Sequence, residues 1–84
     1  MNKCFLEWLE THTDSFVDDH LETWKDHYYR HSLGYIENEL KLNYDWSGDI
    51  EWCETGLNRE LTDEERDYLV KYFTEKVVND FYLD

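Results

Sequence analysis

The sequence has no proline and only three glycines, Gly34, Gly48 and Gly56. No linker, repeat or low-complexity segment interrupts it, and no glycine-rich phosphate-binding loop can be drawn. Cysteine is scarce. Cys4 and Cys53 share no CxxC spacing, which removes the common zinc and dithiol motifs and reads as two reduced, partly buried thiols. Long apolar runs are missing. No stretch approaches the roughly 18 apolar residues of a membrane span, and Met1 to Glu10 has neither the basic start nor the apolar run of a secretion signal. The expected location is the cytoplasm. Positive charge is scarce beside negative: eight Lys plus Arg face 21 Asp plus Glu, a formal net charge of −13. Such a chain cannot replace the counterions of a nucleic-acid backbone, and anionic membranes repel it. Its natural partner is a basic protein surface, such as that of a nucleic-acid-binding protein or complex.

With 84 residues the chain reads as a single acidic domain, 1–84, near the lower size limit for independent folding. A net charge of this size opposes compaction, so the apolar content decides between a folded domain and a disordered acidic tail. Leu, Ile, Val and Phe number 20 of the 84 residues, just above the range of about 20% that marks disorder. Four Trp and seven Tyr add large buriable surfaces. The chain therefore folds and wears an acidic coat. So small a core leaves little room for a deep catalytic cavity.

The expected fold is α+β: two N-terminal helices, a β-hairpin and a long C-terminal helix. Residues 2–10 suit a short helix with Phe5, Leu6 and Leu9 on one side. Thr11-His12-Thr13-Asp14-Ser15 reads as a helix-starting cluster. A second helix is expected over about 14–31, with Phe16, Val17, Leu21, Trp24 and Tyr28 at i, i+3/i+4 spacing. The period then changes to two. Leu40, Leu42, Tyr44 and Trp46 alternate with Glu39, Lys41, Asn43 and Asp45, and Ile50 and Trp52 alternate with Glu51 and Cys53. This predicts strands at about 39–46 and 50–54 around a Ser47-Gly48-Asp49 turn. A three-residue loop opposes Trp46 to Ile50 and Tyr44 to Trp52 and segregates the two faces, so it is preferred to a two-residue loop. The last helix starts at Thr62, whose spacing to Glu65 forms a capping box. Its stripe of Leu69, Val70, Phe73, Val77 and Phe81 carries it to about residue 82.

The constellation that carries information is acidic. Asp14, Asp18, Glu22 and Asp26 recur four apart, with Asp19 beside them and no Lys or Arg in the row. Like charges at i, i+4 each cost a few tenths of a kcal/mol, so stability alone does not explain the row. The hairpin repeats the theme: Asp45 lies opposite Glu51, with Asp49 at the turn. Glu60, Asp63, Glu64, Glu65 and Asp67 form a third group. The bland alternative is a solvated face that confers solubility. The functional reading takes Asp14, Asp18, Asp19, Glu22, Asp26, Asp45, Asp49 and Glu51 as partner-binding carboxylates. These would stand in for backbone phosphates and engage Lys and Arg through charge-assisted hydrogen bonds.

Other signals are weaker. His27 and His31 are four apart, but no third ligand follows at a matching offset. Asn43 to Glu54 loosely matches a calcium loop, with Gly48 at position six and Glu54 at twelve, but its tryptophans belong to the expected strands. No nucleophile elbow or Cys–His pairing suggests catalysis, so neither an enzyme nor a cofactor is expected. The tryptophans are read mainly as core, and any left exposed, with Tyr28, Tyr29, Tyr35 or Tyr68, would be an interface anchor. In size, composition and charge spacing the chain resembles the small acidic inhibitors that phages carry against host defence, the anti-CRISPR and antirestriction DNA mimics. That resemblance implies a stoichiometric inhibitor of a defence nuclease or surveillance complex. The alternative is an immunity or antitoxin protein that neutralises a basic nuclease toxin.

Overall fold

The computed structural model describes residues 2–81, and every structural statement below concerns them. Four helices follow one another: α1 (Lys3–His27), α2 (Leu33–Leu42), α3 (Ser47–Leu57) and α4 (Asp63–Asp80). No strand occurs among the described residues, so the fold is all-α, not α+β.

The two expected N-terminal helices are one. Asn2 caps α1, its Oδ1 accepting the Phe5 N–H at 3.2 Å. The supposed second start at residues 11–15 fails because its side chains turn back along the helix. The Thr11 hydroxyl donates to the Glu7 carbonyl at 2.8 Å, and that of Thr13 to the Leu9 carbonyl at 2.6 Å. Such i−4 bonds use the hydroxyl without opening the backbone. Phe5, Leu9 and Phe16 keep one phase, so a single apolar stripe crosses the expected break. The helix stops at His27. Tyr28 closes it, and Arg30 turns the chain at φ 73°, in the left-handed region.

The hairpin is absent for a related reason. Ile36 and Leu40 lie four apart and are wholly buried, whereas Leu42, expected inward, is 79% exposed. The alternation runs across the end of α2 and the connection to α3, so it marks no strand. Ser32 caps α2 by accepting the Tyr35 N–H at 3.2 Å. Ser47-Gly48-Asp49 opens α3, with the Asp45 carboxylate accepting the Ser47 N–H at 3.0 Å. Trp46, expected in a strand, plugs the core, its indole N–H donating to the Leu40 carbonyl at 2.7 Å. Asn58 ends α3 at φ 58°, a conformation asparagine tolerates.

The C-terminal helix has the expected start. The Thr62 hydroxyl accepts the Glu65 N–H at 3.1 Å, and the Glu65 carboxylate accepts the Thr62 N–H at 3.0 Å. The helix runs to Asp80; Tyr82, where it was expected to end, lies outside the described residues. α4 packs along α1, α2 rests on α4, and α3 rests on α1. At the centre the rings of Phe16 and Phe73 stack 4.1 Å apart. No helix among the described residues is long and apolar enough to cross a membrane.

Candidate partner-binding surface

A helix of 25 residues is about 38 Å long at 1.5 Å per residue. The longest dimension of the molecule is 38 Å, so α1 spans it from end to end. Phe5, Trp8, Leu9, Phe16, Val17 and Trp24 tie α1 to the other helices. The remaining face is open. Asp14, Asp18, Asp19, Glu22 and Asp26 are all exposed on it. Because no break occurs at residue 11, the face also includes Glu7 and Glu10, which sequence reasoning assigned to a separate helix. The unbroken phase from Phe5 to Phe16 was the signal that joins them.

The row is not straight. Each step of four residues rises about 6 Å and overshoots a full turn by about 40°. From Asp14 to Asp26 the carboxylates therefore climb about 18 Å and wind about 120° in a right-handed sense.

Among the described residues, one ion pair touches the first turns of this face, at Glu7, and the others fall elsewhere. Lys3 reaches Glu7 at 3.9 Å, Lys41 reaches Glu37 at 2.7 Å, and Arg59 holds Glu65 at 2.7 Å. Arg66 sits 3.6 Å from Glu54 and 3.8 Å from Asp63. None of these pairs involves Asp14, Asp18, Asp19, Glu22 or Asp26. The third acidic group is different: Arg59 and Arg66 neutralise part of it. Glu65 in particular is buried, and the Arg59 hydrogen bonds at 2.8 and 2.7 Å hold its carboxyl down to about 2, against the opposing effect of burial.

The remaining sequence candidates separate. Glu51 is exposed on α3, but it does not face Asp45 across a hairpin, since none forms. Asp45 is exposed and occupied at the start of α3; the Ser47 hydrogen bonds keep its carboxyl below the ordinary range. Asp49 is buried between α1 and α3. Its Oδ2 accepts the Tyr44 hydroxyl at 3.0 Å, and its Oδ1 lies 3.7 Å from His20 Nε2. Burial raises the Asp49 carboxyl and outweighs the lowering by Tyr44 and His20. Asp49 thus joins two helices and is turned away from any partner.

His20 and His12 share a device missed from sequence. Each stacks on the ring four residues earlier, His12 on Trp8 at 4.1 Å and His20 on Phe16 at 4.2 Å. Each turns Nδ1 to the carbonyl of that same residue, at 2.8 and 2.9 Å. A carbonyl only accepts, so Nδ1 carries the proton. His27 and His31 are not on one helical face, because α1 ends at His27; His31 instead stacks on Tyr35 at 4.2 Å. The twelve-residue calcium loop is not formed, because Ser47 to Glu54 is helical. Among the candidate aromatic anchors, Trp52, Tyr29 and Tyr35 are exposed, Tyr28 is buried and Tyr68 is half-buried.

Searches against family models, curated proteins and solved structures find no match to this chain.

Proposed function

We propose that this protein is a stoichiometric inhibitor that mimics DNA and occupies the nucleic-acid-binding site of a basic defence nuclease or surveillance complex in the cytoplasm. The observation that carries this reading is the bare acidic face of α1. From Asp14 to Asp26 its carboxylates are exposed along a helix as long as the molecule and take part in none of the ion pairs among the described residues. A face selected for stability would recruit those cations. The winding of the row adds support. It turns right-handedly by about 40° per carboxylate, and a strand of duplex DNA turns in the same sense by about 35° per nucleotide. Lys and Arg that normally grip phosphates would meet an array of carboxylates at similar angular intervals.

The test begins with affinity capture of the partner from host-cell extract, followed by competition with DNA. The double variant Asp18→Lys, Glu22→Lys should keep the fold and bind the captured partner at least about tenfold more weakly, because two attractive contacts become repulsive. DNA should be displaced from the partner in proportion to the inhibitor added. Unchanged binding by the double variant would remove the row from the interface. Tight binding that leaves DNA in place would point to an immunity protein acting away from the nucleic-acid site.

A further inference from the structure

Five large apolar side chains are exposed among the described residues. Four of them lie between residues 29 and 42: Tyr29 at 70%, Leu33 at 41%, Tyr35 at 44% and Leu42 at 79%. Along α2, Tyr35, Asn38 and Leu42 recur at i, i+3 and i+7 and so share a stripe. That stripe faces away from Ile36 and Leu40, which are wholly buried. The solvent face of a surface helix is ordinarily its charged face, yet here it carries a tyrosine and a leucine.

The charge distribution marks the same segment independently. Residues 27–43 contain two cations, Arg30 and Lys41, and two acids, Glu37 and Glu39, for a net charge of zero. The other 67 residues carry the whole −13. Within the segment the charges are also locally engaged. Lys41 bonds Glu37 at 2.7 Å, Glu39 accepts from the Asn43 amide at 2.8 Å, and the Arg30 guanidinium lies over the Tyr29 ring. A second stretch without net charge, residues 66–80, exposes no large apolar side chain, so only in residues 27–43 do neutrality and exposed apolar surface coincide among the described residues.

We propose that the outer face of α2 is the surface through which two copies of this chain associate. A basic partner is steered to the acidic faces and gains nothing electrostatic from this one. Two copies of a chain at −13 repel one another, and across this segment they meet on exposed apolar surface with no net opposing charge. The contact is isologous, α2 against α2, so Tyr35 and Leu42 of each copy cover apolar surface on the other. One ten-residue helix and its preceding corner supply less than the about 800 Å² per partner of a standard interface. The dimer is therefore of the weak class and forms as concentration rises.

Sedimentation analysis of the intact chain up to about 1 mM, at low and high NaCl, tests this. The mass should rise from monomer to dimer with concentration. Association should strengthen with salt, because salt screens the repulsion between copies. Leu42→Glu alters an exposed residue, so the helical signal should persist while association falls at least about tenfold. Asp18→Lys should leave the dimer intact or strengthen it. A wild-type chain that stays monomeric throughout overturns the proposal. So does a dimer that Leu42→Glu leaves unchanged, or one that salt dissociates.

Discussion

Gly56 controls the seam between α1 and α3. It sits inside α3, where glycine costs about 0.5–1 kcal/mol relative to alanine. The compensation is room: a Cβ there would run into the Trp8 indole, meeting Nε1 and standing 3.1 Å from Cε2. That indole in turn packs on His12 and edge-on to Trp52. Gly56→Ala should therefore lower stability by about 1–3 kcal/mol, the range for overpacking. Gly48, in the same helix, has open space around its Cβ position, and Gly48→Ala should raise stability by up to about 1 kcal/mol. Urea midpoints of the two variants give the comparison. If Gly56→Ala gains like Gly48→Ala, the Trp8 contact does not set the α1–α3 spacing.

At the level of the element, α1 is a long helix that carries repulsion along one side and packing along the other. Asp14–Asp18, Asp18–Glu22 and Glu22–Asp26 are like-charge i, i+4 pairs, each opposing the helix by about 0.2–0.5 kcal/mol. Asp18→Asn with Glu22→Gln removes the charge from all three pairs and should stabilise the protein by about 1 kcal/mol at low salt. The gain should shrink as NaCl rises, because the wild-type repulsion is then already screened. Thermal melts in low and high salt read this directly, and a loss of stability would mean that the row makes favourable contacts. The acidic row and the Thr62 capping box were legible in the sequence, because both rest on spacing within a few residues. The length of α1 was not. Thr11 and Thr13 are equally suited to capping a helix and to bonding back within one, and only the continued phase of Phe5, Leu9 and Phe16 separates the two. The hairpin was misread because Leu42, Tyr44 and Trp46 alternate while belonging to a helix end and a connection. What placed them was tertiary: Ile36 and Leu40 against α4, and Trp46 bonded to the Leu40 carbonyl. Asp49 looked like a surface acid for the same reason, since its burial depends on α3 lying against His20.

For the whole molecule, the charge balance sets how stability follows pH. Stability in most proteins is greatest between about pH 5 and 8, since acid discharges carboxylates that are paired in the folded state. Here most acids on α1 are unpaired, and the fold bears the repulsion of a −13 charge. Protonation toward the pI of about 4.4 should relieve it. Asp49 acts in the same direction. Its folded carboxyl is raised by burial, so its contribution is complete at low pH and is lost as pH rises through that raised value. Glu65 acts in the opposite direction. Its folded value of about 2 lies below the ordinary 4.5, so its contribution is complete above about 4.5 and is lost as pH falls toward 2. Urea midpoints should thus rise from pH 7 to pH 5 and fall between about pH 4.5 and 2. Glu65→Gln breaks the half-buried bidentate pair with Arg59, so it should lower stability at pH 7 and flatten the acid-side fall. Asp49→Asn keeps an acceptor for the Tyr44 hydroxyl and should remove the part of the stability loss with rising pH that comes from this carboxyl. A wild-type midpoint that drops steadily from pH 7 to pH 5 would show that the acidic faces are held in stabilising contacts within the fold. They would then not be free to receive a basic partner.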